Sequence, residues 1–204
     1  MSNWPPANRL TDVIDSFVDD ILQPPYLQPG SWVSLHDSRN NSNPTEGTHA
    51  MLDTPQIIQT TARLTAIIHL TIPKNEMQTA MGPGIGELMA AIATQGIAPA
   101  GPWFTHHFRI DPDKWDFDIC VPVTAPVTPV GRVKPGQWPA MKVARTVYHG
   151  PYEGLGVAWG EFKDWIKVSG HTPAEDLWEC YLVGPESGAD PTKWRTELNR
   201  PLTS

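Results

Sequence analysis

Asp111–Trp115 reads DPDKW, and Asp190–Trp194 reads DPTKW, 79 residues further along. Seven residues after each tryptophan stands a proline, Pro122 and Pro201. Upstream, Gly86-Glu87 matches Gly160-Glu161, Gly96 matches Gly170 and Pro99 matches Pro173, all at a spacing of 74. The extra five residues fall between Pro173 and Asp190, where GPESGAD (Gly184–Asp190) reads as a longer turn. One such match arises by chance, but a whole series in the same order marks an internal duplication.

Each copy has the same internal order. A β-branched run comes first: ARLTAIIHL (Ala62–Leu70) and MKVARTVY (Met141–Tyr148). A Gly/Pro turn follows, MGPG (Met81–Gly84) in one copy and HGPYEG (His149–Gly154) in the other. Next comes a helix. Ile85, Leu88, Met89 and Ile92 fall on one helical face, as do Leu155, Ala158, Trp159, Phe162, Trp165 and Ile166. Gly96 and Gly170 stand where a helix C-terminal glycine is expected. Two strands joined across the DPxKW turn complete the unit.

The chain is therefore expected to be α+β. Its β-α-β-β units span about 60–125 and 140–202 and form a tandem pseudo-twofold repeat. The sheet is expected to be antiparallel and concave, backed by two helices, with a ligand cleft along the axis.

The totals narrow the function. The chain has 204 residues, enough for one good core with an appendage. A net charge of −7 without a long basic run argues against a nucleic-acid surface and against anionic membranes. No stretch approaches the ~20 apolar residues of a membrane span, and MSNWPPANRL (residues 1–10) lacks the pattern of a signal peptide. A cytoplasmic location is expected. Nine tryptophans suit core packing and also a pocket for flat apolar ligands. The two cysteines, Cys120 and Cys180, are expected to be small core residues.

HGPYEGLGVAWGEFKDWI (His149–Ile166), LWECYLVGP (Leu177–Pro185) and TKWRTELNRPL (Thr192–Leu202) resemble the GyrI-like effector-binding domains. These occur at the C-terminus of AraC-type and MerR-type multidrug regulators and as stand-alone proteins. The resemblance covers about residues 60–202 and is clearer in the second copy. It implies a tandem β-α-β-β fold, also shared by the SOUL haem-binding proteins, and a pocket glutamate in an aromatic-Glu-x-Tyr motif. That motif is here Trp178-Glu179-Cys180-Tyr181, with Trp178 where the family commonly has tyrosine. The resemblance further implies binding of bulky hydrophobic or cationic aromatic molecules. It also points to relatives that hydrolyse cyclopropane-bearing alkylating natural products with the pocket glutamate. For a namesake of the family it points to gyrase inhibition.

Strand alternation puts Leu177, Glu179, Tyr181 and Val183 on one face and Trp178, Cys180 and Leu182 on the other. The second set is apolar and is expected under the helices, which turns Glu179 and Tyr181 into the cleft. At the repeat spacing their counterparts are Thr105 and His107, with Trp103 on the same face. Tyr152, Trp159 and Trp178 complete the candidate ligand-binding set, and Glu179 and Tyr181 the candidate catalytic pair. A carboxylate among rings attracts a cation, with cation–π contacts adding about 0.5–2 kcal/mol. It can equally activate a water beside a phenol or indole donor. Asp118 and Glu197 match across the repeat and are expected at the cleft rim or on a solvated sheet face.

No metal site and no cofactor is expected. His106 and His107 are adjacent on a strand and point to opposite faces. MGPGIG lacks the lysine of a phosphate-binding loop. Outside the repeat, residues 1–59 carry an amphipathic stripe from Leu10 to Leu22. It is expected to be a helix that docks on the main domain or on a second subunit, the latter giving a homodimer. Arg39–His49 reads as a linker, and Asn40-Asn41-Ser42 as a sequon without meaning in the cytosol.

Overall fold

A computed structural model describes residues 50–188 and 190–203. The amphipathic stripe, the linker and the sequon lie outside the described residues.

The first unit runs β2 (Arg63–Pro73), α1 (Met77–Thr94), β3 (Phe104–His107) and β4 (Lys114–Pro122). The second runs β6 (Lys142–His149), α2 (Leu155–Val168), β8 (Leu177–Val183) and β9 (Arg195–Thr203). Two strands lie outside the repeat, β1 (Gln56–Gln59) and β5 (Lys134–Trp138), while the two-residue β7 (Thr172–Pro173) belongs to the second unit, its Pro173–Leu202 pair matching the Pro99–Val123 bridge of the first. Eight strands form one antiparallel sheet in the order β1-β6-β9-β8-β3-β4-β2-β5, and β7 pairs with the end of β9.

Local chemistry agrees with the repeat. Asp111 Oδ1 accepts from the backbone N–H groups of Asp113 and Lys114, and Asp190 Oδ1 accepts from Thr192. These aspartates cap the two DPxKW turns. Gly96 and Gly170 both have positive φ, +67° and +76°, just past the helix ends. The first helix begins earlier than expected, because Met81–Gly84 lies inside α1 and Pro83 is a helical residue. Its glycines serve packing instead of a turn. A Cβ on Gly84 would sit 2.5 Å from Ile119 Cδ1, so the helix lies close on the sheet there.

The two units meet at β3 and β8, with Thr105 paired to Glu179, Phe104 to Cys180 and His106 to Trp178. Glu179 is also the repeat counterpart of Thr105, and the other two pairs exchange under the same operation. The pseudo-twofold axis therefore passes through the Thr105–Glu179 pair.

One face carries both helices. Ile85, Leu88 and Ile92 of α1 pack on Ile68, Phe117 and Ile119 of the sheet, and Ala158, Phe162 and Ile166 of α2 pack on Ala144 and Leu198. Residues paired across strands share a face, so Glu179, between Thr105 and Leu198, lies on this same side. Trp178 and Cys180 lie on the other, with Phe104, Cys120 and Trp138. This corrects the expected orientation of β8, in which the apolar set was to face the helices. Both faces of the sheet are covered, so apolarity alone does not choose between them.

The sheet is strongly curled. Trp138 and Lys142 are four residues apart, a reach of at most ~14 Å. They end strands six positions apart, about 29 Å in a flat sheet. The curl closes on the helix-free face, where Trp138 meets Phe104 at 4.4 Å and Trp178 at 5.6 Å between ring centroids. Helices do back the concave face, but the carboxylate lies on the helix side, in the furrow between α1 and α2.

Phe162, on the inner face of α2, is fully buried. Phe162→Ala is expected to cost about 3–5 kcal/mol through lost transfer energy and the cavity left behind. Urea unfolding monitored by circular dichroism measures it.

Candidate functional site

The floor of the furrow is formed by β3 and β8, the two strands that meet at the axis. Alternation turns Thr105, His107, Glu179 and Tyr181 toward the helices. Trp159 reaches in from α2, one turn before Phe162. Tyr152 comes from the 3-10 turn Tyr152–Gly154 that opens α2, and Trp103 from the residue before β3.

Both oxygens of Glu179 are engaged. Trp159 Nε1–H donates to Oε1 at 2.7 Å, and the Tyr181 hydroxyl donates to Oε2 at 2.8 Å. Hydrogen bonds to an ionised acceptor are short and about twice as strong as neutral ones. A carboxylate offers about four acceptor positions, so these two donors leave others for a ligand.

The donor directions behind Tyr181 follow from proton counting. Its single hydroxyl proton goes to Glu179, so at the 3.3 Å contact with Thr105 Oγ1 the threonine must donate. Thr105 Oγ1 then accepts from His107 Nε2 at 3.1 Å, which makes neutral His107 the Nε2–H tautomer. Every dipole of the chain His107–Thr105–Tyr181 points at the Glu179 carboxylate. His107 is 5% exposed, and its Nδ1 has no hydrogen-bond partner among the described residues.

Burial holds the His107 pKa below its ordinary value of 6.5, against the opposing pull of the Glu179 charge. Burial, and then the Glu179 charge, push the Tyr181 phenol well above its ordinary value of 10. Tyr181 is thus a neutral donor across the physiological range. Aromatic rings line the rest. Trp103 stacks on Tyr181 at 4.0 Å and 19°, and Tyr152 meets Tyr181 edge-on at 5.7 Å and 86°. Tyr152 also leans on Trp194 at 4.9 Å, a contact that the sequence reading missed although Trp194 belongs to the repeated DPxKW motif.

Seven of the eight candidate residues come together here: Glu179, Tyr181, Trp103, Thr105, His107, Tyr152 and Trp159. Trp178 does not. It lies on the opposite face, stacked on His106 at 4.3 Å. Asp118 and Glu197 are also on that face and not at the cleft rim. Asp118 Oδ1 meets His69 Nδ1 at 2.9 Å, and Glu197 pairs with Arg145 at 3.3 Å. They are paired across the concave side, and Asp118 is 8% exposed. His106 and His107 face opposite ways, as expected. Both cysteines are buried, and burial raises their thiols well above the ordinary value. No group of three or more His, Cys, Asp or Glu suited to a metal ion occurs among the described residues. No helix among them is long and apolar enough to cross a membrane.

A family model described as the GyrI-like small molecule binding domain matches residues 53–202, so the chain belongs to that family. No curated protein matches it. The C-terminal domain of EcmrR is similar in fold, with a TM-score of 0.67 at 19% identity, covering 74% of this chain and 98% of that domain. Against EcmrR in its complex with DNA, the TM-score is 0.66 at 18% identity over 74% of this chain. The chain spans 57% of the length of that EcmrR chain. A hydrolase from Listeria innocua aligns with a TM-score of 0.56 at 16% identity, over 73% of this chain and 91% of that one. SAV2435 bound to tetraphenylphosphonium aligns with a TM-score of 0.51 at 13% identity, over 74% and 95%.

The depressed His107 pKa sets a pH dependence. The unfolded chain takes up the histidine proton near pH 6.5, while the folded chain resists it until a lower pH. The stability conferred by neutral His107 is therefore complete above about pH 6.5 and is lost as pH falls toward the folded value. His107→Gln is expected to flatten the loss of stability between about pH 7 and 5, read from urea unfolding at a series of pH values.

Proposed function

We propose that this GyrI-like protein binds bulky aromatic cations in the furrow between α1 and α2, with Glu179 as counter-charge and the surrounding rings as walls. The observation that carries this reading is the setting of Glu179: one carboxylate, anchored by an indole N–H and a phenol O–H, beside the stacked rings of Trp103 and Tyr181. Such a site favours a delocalised cation over a hydrated one. The rings supply dispersion and cation–π attraction, and the fixed carboxylate loses little water when the ligand arrives. The relative SAV2435, bound to tetraphenylphosphonium, suggests the chemical class. Resistance to a toxic cation by sequestration is the role proposed for such binding.

Hydrolysis of a strained, electrophilic cyclopropane is the second reading, and a hydrolase stands among the structural relatives. The observation that favours it is the pairing of a carboxylate with a phenol kept protonated by burial. In that reaction Glu179 removes a proton from water as its oxygen bonds to a ring carbon. The ring C–C bond breaks, and its electron pair passes into the conjugated carbonyl. Tyr181 protonates that oxygen and recovers a proton from Glu179. The net change is addition of one water.

Tryptophan-fluorescence titration with tetraphenylphosphonium tests the first reading. Saturable binding is expected, weakened about tenfold or more in Glu179→Gln, which is ~1.4 kcal/mol. Neutral triphenylphosphine oxide is expected to bind poorly to both. Equal affinity for cation and neutral analogue would sink the counter-charge role. For the second reading, a cyclopropane-bearing alkylator is incubated with the protein and followed by mass spectrometry. A product heavier by one water, formed by the native protein and not by Glu179→Gln, is the expected result.

A further inference from the structure

The two ends of the furrow are related by the pseudo-twofold operation but differ in chemistry. Its floor runs in rows of paired residues, from Trp103–Tyr181 through Thr105–Glu179 to His107–Leu177. At the first end, Tyr152 leans on Trp194 and meets Tyr181 edge-on. The counterpart of Tyr152 follows from strand pairing. Asp118 pairs with His69, and its repeat partner Glu197 pairs with Val147, so β2 and β6 correspond at a spacing of 78. At that spacing Pro73 matches Pro151. Both are extended, with ψ of 149° and 153°, and each opens a three-residue 3-10 turn that runs straight into the helix. Lys74 therefore holds in the first unit the place of Tyr152 in the second.

The contacts correspond in the same way. Trp115, the counterpart of Trp194, carries Lys74 Nζ over its ring at 4.7 Å from the centroid and meets His107 edge-on at 5.4 Å. Its Nε1–H donates to the Lys74 backbone oxygen at 3.3 Å, which fixes the ring against the turn. Lys74 is half-buried, and among the described residues its ammonium enters no ion pair. Neither Glu76, in the same turn, nor Asp113, whose backbone oxygen accepts the Lys74 N–H at 3.3 Å, pairs with it. A ring face attracts an ammonium on one side and leaves N–H donors for an anion on the other. One end of the furrow is thus a cluster of neutral rings, and the other presents a cation on a ring.

We propose that Lys74 is a specificity-determining residue of the furrow, selecting aromatic cations that also carry a carboxylate at the end remote from their rings. The inference rests on Glu179 as the counter-charge for the cation. The cationic centre sits at Glu179 with its rings toward Trp103 and Tyr152, and the carboxylate accepts from Lys74 Nζ. Trp115 lies four residues before Ile119, the partner of Thr105, which is about 13 Å along the strand. The preferred ligand is therefore a long zwitterion and not a compact one.

The test is calorimetric titration of the full chain with ω-carboxyoctyl triphenylphosphonium and with its methyl ester. The two share rings, cation and chain and differ in the carboxylate. The net charge of −7 on the chain by itself favours the ester, so an advantage of the acid reports a local cation. The acid is expected to bind about threefold to fivefold tighter than the ester. Lys74→Met keeps the stem over Trp115 and removes the charge, so it abolishes that ratio, whereas Lys74→Arg retains it. Thermal unfolding reports whether each variant folds, and Lys74→Gln replaces Lys74→Met if the latter does not. Glu179→Gln weakens acid and ester alike, by about tenfold. Equal affinity of acid and ester in the native protein overturns the proposal, as does a ratio that persists without the lysine charge. Ester binding that depends on Glu179, with no advantage for the acid, sinks this proposal alone. An ester that does not bind, or binds without need of Glu179, sinks the counter-charge reading and this proposal with it.

Discussion

The antiparallel pairing of β3 with β8 is the constraint on which the rest depends. It joins the two units into one sheet and puts the Thr105–Glu179 pair on the pseudo-twofold axis. The helices lie to either side, α1 over β2 and β4, α2 over β6 and β9. The two central strands are the ones neither helix covers directly. A furrow at the axis is thus a consequence of the duplication. Its floor is open to polar residues because the apolar load of the helix face is carried by the outer strands.

Much of this was legible in the sequence, for physical reasons that differ by element. The repeat was visible because DPxKW, the helix-terminal glycines and the strand prolines each answer a fixed backbone need, such as the positive φ of Gly96 and Gly170. Alternation grouped Glu179 with Tyr181, Thr105, His107 and Trp103, since a period of two admits no other grouping along an unbroken strand. A β-bulge after Tyr181 breaks that alternation before Val183, which no local signal foretold.

Alternation does not tell which side of a sheet is covered. The apolar set Trp178, Cys180 and Leu182 pointed to the helices only if the other face were bare. The curl supplies that face with a cover of its own. Trp138, from a strand outside the repeat, folds across to Phe104 and Trp178. Without a repeat partner, β5 left no mark in the spacing argument, and Trp178 was assigned to the wrong cleft. The start of α1 was misplaced for a related reason. Gly-Pro-Gly normally punctuates a chain, but here Gly84 answers the close approach of Ile119.

The asymmetry between the two copies has a physical cause at the axis. Directly paired residues on adjacent antiparallel strands have Cβ atoms about 4.5–5.5 Å apart. A glutamate at both positions would set two carboxylates side by side, and one would take a proton at neutral pH. With Thr105 opposite Glu179, the first copy supplies a donor where the second supplies the charge. The same division holds around it. His107 stands opposite in role to Tyr181, and buried Ile85 occupies in α1 the place that Trp159 holds in α2. The first copy supplies His107 and Thr105, and the second supplies Tyr181, the last donor of the relay, together with the carboxylate and its indole anchor. In the function proposed above, a single carboxylate on a near-symmetric floor would distinguish one end of a ligand from the other, which a symmetric pair of acids could not do.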